Sequence, residues 1–393
     1  MRRLIPLLAL LAVSAVPAAG APANGCPVPC SGQISSPEGT QLLYVQPAGV
    51  GGPVHAYDTT SGGRLFSLPA GITSADGRSH VTATARRLGT VVSRLRVANA
   101  TIASTMLVDG RWRLAGVSPT GRFAALSRQT RDRSSTGVAI LDLARKRLAH
   151  RLQLDGDFEV ETVSTDGKRL FLIEHLGEAE GESGGQQYSV RLFDLSRERL
   201  SSKPLRGKGE QSVMAGYAWS GVGSPDGRWL LTLYLNTQRK LAFVHALDLE
   251  RSSPVCIFLP SSGAAFDALK RYGLTLSPDG SRLYATNAAL GAVAEIDLAT
   301  RKVVRTARFP ATRDLSGQSS LAGTISRKGR TLYFSPGRDL WAYDTAYGVV
   351  RGPYRTGGAI VGFGFGFGDR RVHALRADGR MLAFDAATGR RLS

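Results

Sequence analysis

Three regularities in the 393-residue chain predict an all-β fold, a single β-propeller of four-stranded antiparallel blades. The first is a recurring turn: SPEG (36–39), SADG (74–77), SPTG (118–121), STDG (164–167), SPDG (224–227), SPDG (277–280) and SRKG (326–329). The second, in phase with it, is an apolar residue followed by Asp and usually Leu or Thr, at Asp58, Asp142, Asp194, Asp248, Asp297, Asp344 and Asp385. The third is the spacing. Successive turn glycines lie 38, 44, 46, 60, 53 and 49 residues apart, and each interval has room for four short strands. Such a meander cannot hide both of its faces, and stacking the units in a ring solves that problem.

The chain opens on a targeting pattern. Arg2 and Arg3 precede an apolar run, Leu4 to Val16, and small residues around Ala19 to Ala23 offer a cleavage site. Residues 1–23 are therefore expected to be a signal peptide, which makes the protein exported, either secreted or held at the cell envelope, with no transmembrane span after processing. Residues 24–35 form a lead-in containing Cys26 and Cys30. A local Cys26–Cys30 disulfide suits an oxidising compartment; the alternative makes Cys26 a lipidated first residue. The propeller is expected over 36–393.

In each unit the turn comes first. Serine can hydrogen-bond the backbone ahead of it, proline presets φ, and glycine takes the positive φ that closes a tight hairpin. In SPDGSRLYATN (277–287), the strand that follows sends alternate residues to opposite faces. This unit, through Thr306, resembles those of the YVTN-type β-propeller repeat proteins, a WD40-like branch, and the likeness extends over most of the chain. The resemblance implies the fold and leaves activity open, because propellers host unrelated functions. Seven turn signals and a degenerate last unit (362–392) favour eight blades over seven.

Composition sets limits on function. The formal charge is +19, and removal of Arg2 and Arg3 leaves +17. The cations are scattered through turns, and aromatics are not interleaved with them. Specific nucleic-acid binding is therefore not expected, whereas attraction to an anionic envelope polymer is consistent with the charge. No zinc-protease helix motif, phosphate-binding glycine loop or nucleophile elbow occurs, and Asp155 to Asp157 lacks the further ligands of a calcium loop. No metal or cofactor is expected.

Candidate binding residues gather around the least repeat-like insertion, 175–189. Glu174 and His175 stand at its start, and Tyr217 and Tyr234 belong to the next unit. All four can frame the channel mouth if the strand ends before His175. The histidines of VHAYD (54–58) and VHALD (244–248) read as blade packing, and Cys256 as a buried strand thiol. In VGFGFGFGD (361–369), alternation puts Phe363, Phe365 and Phe367 on one face and bare glycines on the other, which lets a neighbouring strand approach.

These features predict a noncatalytic, monomeric binding module for a protein, peptide or envelope polymer. The alternative is a propeller enzyme. AFDAATGRRLS (383–393) resembles the A-x-D-x-x-T-G-x-x-x-W motif of quinoprotein dehydrogenases, with Ser393 in place of Trp and no vicinal cysteine pair. The YVTN-type resemblance also extends to lactone-hydrolysing propellers, which rest on channel carboxylates and histidines, and Glu174 and His175 are the candidates for such a role here.

Overall fold

The computed structural model describes residues 41–46, 52–178, 186–207, 213–261, 263–312 and 321–393. The expected signal peptide and the Cys26–Cys30 pair lie outside these residues. Eight antiparallel sheets form a ring, an eight-bladed β-propeller. Blades 2 to 7 each carry four strands in simple sequence order, and blade 4 is extended by a short strand, Met214–Ala215. Blades 1 and 8 each show three described strands, and in blade 8 a bridge from Phe384 to Arg391 adds a further pairing beside the third.

The repeated turn is a hydrogen-bonded unit. In six blades the serine amide donates to the carbonyl five residues on, at 2.8–2.9 Å. The serine hydroxyl accepts the amide of that same residue at 2.8–3.1 Å. Glycine closes each turn at φ of 68–76°. The second motif caps another turn, between third and outer strands: Asp248 Oδ1 accepts the amides of Glu250 and Arg251, and its equivalents do the same elsewhere. Arginines opening the second strand close back on these carboxylates, Arg122 on Asp142 at 3.0 Å and Arg228 on Asp248 at 3.1 Å.

Eight clusters of buried apolar side chains hold the ring, one for each pair of adjacent blades. The last closes blade 8 onto blade 1. There, a Cβ on Gly362 would stand 2.6 Å from Val45, and one on Gly364 would stand 2.8 Å from Leu43. Phe363 and Phe365 pack on the opposite side, against blade 7. Phe367 departs from the expected alternation: the strand ends at Phe365, and Phe367 lies in a 3-10 turn, 61% exposed.

No helix among the described residues is long and apolar enough to cross a membrane.

Candidate functional site in the channel

The innermost strand of each blade borders the channel and runs into the serine turn. At that end the turns of blades 2 to 5 converge. A Cβ on Gly223 of blade 5 would come within 2.8 Å of Ala75 in blade 2, and one on Gly227 within 2.7 Å of Pro119 in blade 3. These blades meet across the axis and leave a cavity of about 20 Å³, bordered by Ile72, Val117, Glu161, Thr162, Gly223 and Trp229. That is enough for a water-sized group.

Glu161 is the one carboxyl in this lining. It belongs to the inner strand of blade 4, Phe158–Val163, which bulges between Val160 and Thr162. A bulge re-aims side chains. Phe158 and Val160 join the apolar cluster shared with blade 3. Glu161 is 8% exposed, and neither carboxyl oxygen has a hydrogen-bond partner among the described residues. Burial, reinforced by the nearby charge of Glu159, pushes its pKa up to about 8.

Glu159 lies further from the turns on the same strand, with its side chain 24% exposed. Desolvation lifts it to about 8, opposed by the guanidinium groups of Arg113 and Arg133. Its Oε2 is 3.4 Å from His175 Nε2. Burial depresses the histidine to about 4, so at neutral pH the imidazole is uncharged beside a mostly protonated carboxyl. Asp157 completes the group: it pairs with Arg133 at 2.9 Å and accepts Gln129 Nε2 at 2.7 Å. The inner strand thus carries one partly accessible and one buried carboxyl two residues apart, with a neutral imidazole in contact with the first.

The residues singled out from sequence are dispersed. The strand Arg169–Glu178 continues through both Glu174 and His175, so the two side chains take opposite faces. His175 joins Glu159, whereas Glu174 pairs with Arg191 and receives Ser189 Oγ at 3.3 Å. Tyr234 is 2% exposed, stacked on Tyr188 at 4.6 Å and on Phe243 at 5.5 Å in the cluster between blades 4 and 5. Tyr217 opens the inner strand of blade 5, half-buried. His245 is buried in the same aromatic cluster and held at about 4 by desolvation. Cys256 is half-buried with its sulfur 3.5 Å from Met214 Sδ.

Sequence reasoning missed Glu159 and Glu161, although a signal was present. Three residues before the turn serine, the other units carry Gln33, Gly71, Ala115, Gly221, Leu274 and Gly323, and only STDG has a glutamate there.

No family model matches the chain, and no curated protein does. Among solved structures, "Dihydro-heme d1 dehydrogenase NirN in complex with DHE" matches with a TM-score of 0.51 at 16% identity, covering 93% of this chain and 75% of that one. Kuenenia stuttgartiensis hydrazine synthase gives a TM-score of 0.41 at 13% identity, covering 90% of this chain and 98% of that one. A Bacteroides uniformis protein assigned as a 6-phosphogluconolactonase gives 0.42 at 16% identity, over 89% and 93%. At these identities the likeness establishes the fold. The expectation of a noncatalytic binding module is corrected here: the neighbour at 0.51 is an enzyme, and the channel holds the buried, unpartnered carboxyl that such a module does not need.

The quinoprotein-like motif is accounted for by turn chemistry. Asp385 Oδ1 accepts the amides of Ala387 and Thr388 and the Thr388 hydroxyl, and Gly389 takes φ of 71° against Tyr354. With the docking tryptophan missing, these residues do not fit a quinone site.

Proposed function

We propose that the chain is a propeller hydrolase of the YVTN-type group, exported from the cell, that cleaves a small ester or lactone at the channel mouth. The observation that carries this reading is the carboxyl pair on the inner strand of blade 4, Glu159 and Glu161, shifted by burial toward neutral pH, where proton transfer is most effective. In the proposed step, ionised Glu159 takes a proton from water as the water oxygen adds to the acyl carbon. Positive charge from Arg113 and Arg133 favours the oxyanion that forms. The carbon–oxygen bond to the leaving group then breaks, and the departing oxygen recovers the proton from Glu159. His175, neutral at Nε2, orients the carboxyl between the two transfers.

The test is hydrolysis of a panel of γ- and δ-lactones and p-nitrophenyl esters by the purified protein. Activity is expected to rise with pH through about 8, and Glu159→Gln should lower kcat by about a hundredfold or more. A folded protein inert across the panel, or a Glu159→Gln variant with wild-type kcat, refutes the proposal.

A further inference from the structure

Beside the channel mouth, blades 2 and 3 carry a group of arginines of which the proposed chemistry uses only Arg113. Trp112 is wedged between these blades, 5% exposed, in the connection leaving the outer strand of blade 2. Its amide donates to Thr90 Oγ1 at 2.9 Å and its indole N–H to the Asp109 carbonyl at 2.7 Å, so the ring is fixed from two directions. The guanidinium of Arg128 lies 4.5 Å from the ring centroid and that of Arg151 lies 5.6 Å away. Both come from blade 3, on its second and outer strands. Arg128 reaches the ring by crossing Gly137, where a Cβ would stand 3.0 Å from Nε. Arg111 and Arg113 flank Trp112 in sequence, and both are exposed.

Like charges gathered on one indole repel one another. Arg122, Arg228 and Arg282, half-buried at the start of second strands, are each answered by a carboxylate. Among the described residues, no ion pair answers Arg111, Arg113, Arg128 or Arg151. The stacking and the glycine groove hold two guanidinium groups in place with their N–H edges unmatched, the arrangement that carboxylate and phosphate oxygens satisfy.

We propose that this platform binds an oxyanion group, carboxylate or phosphate, and that the substrate of the channel site is an anion gripped there. In naming the substrate class the inference rests on the channel reading, with Arg113 as the link, since its charge reaches Glu159. The anion site itself does not depend on turnover.

The experiment is isothermal titration of the full chain with citrate and with pyrophosphate, which separates carboxylate from phosphate preference, and with glucose as the neutral control. Both anions are expected to bind and glucose not to. The Arg128→Gln/Arg151→Gln double variant should weaken binding by about tenfold or more. Gly137→Ala, which keeps every charge and displaces Arg128, should weaken it as well. The Arg301→Gln/Lys302→Gln variant removes two exposed cations from blade 6 and is expected to bind as wild type does. Equal losses in the two double variants, or no preference for anions over glucose, overturn the proposal. Anion binding by a wild-type protein that hydrolyses no substrate of the panel refutes the channel chemistry alone. Hydrolysis of neutral lactones without anion binding refutes the anion site alone.

Discussion

Glu161 shows how much one residue can set. A carboxyl whose folded pKa is about 8 against an ordinary 4.5 binds its proton more tightly in the native state. Stability from this group is complete below about pH 4.5 and is lost as pH rises through 8. Glu159 acts in the same direction. His245 and His175, lowered from 6.5 to about 4, act oppositely: their contribution is present above 6.5 and lost as pH falls toward 4. Between pH 4.5 and 6.5 the two pairs offset each other. From 6.5 to 8 only the carboxyls remain, and stability should fall by up to about 1.4 kcal/mol per pH unit for each. Thermal unfolding between pH 6.5 and 8 is therefore expected to show a falling Tm, and Glu161→Gln should roughly halve the slope. A pH-independent Tm in the wild type rules out the shifted carboxyls. Neither glutamate stood out in the sequence, because the repeat was read for what its units share. Glu161 is the residue that breaks the pattern, and the bulge that interrupts the inner strand at that position was not legible in the sequence.

At the scale of an element, the inner strand of blade 8, Ile360–Phe365, was largely legible. Alternating glycine and phenylalanine predicted a bare face for a close neighbour, and that face meets Leu43 and Val45. The end of the strand was not legible, because alternation continues through Phe367 while the backbone turns at Gly366. A similar limit applied to Arg169–Glu178: the glycine-rich insertion signalled a loop, yet ladder hydrogen bonds carry the strand three residues past His175 and separate it from Glu174. The glycine face allows a direct test. Gly362→Val would drive new methyl groups into Val45, and overpacking of this kind costs about 1–3 kcal/mol. Val45→Ala removes the two methyls that stand 2.6 Å from the added Cβ, so the double variant should recover part of the loss. Urea denaturation of the four members of this cycle measures the coupling; strict additivity denies the contact.

For the whole molecule, ring closure makes each blade dependent on two neighbours, but the eight interfaces are unequal. The cluster between blades 5 and 6 contains nineteen buried residues, among them Leu231, Leu233, Val244 and Leu283. Among the described residues, the two interfaces of blade 1 rest on far fewer: Val54, Leu68, Leu95 and Val97 toward blade 2, and Leu43, Val45 and Leu375 toward blade 8. Apolar burial is the main term opposing chain entropy, so local opening follows the thinner cores. Amide hydrogen exchange should therefore show Val54–Asp58 exchanging well before Trp229–Asn236, although both are interior strands of their sheets. Stiffening the seam with a ligand or a stabilising substitution should slow the first and leave the second unchanged. Uniform protection around the ring would mean that closure alone, rather than the depth of each interface, sets the stability of every blade.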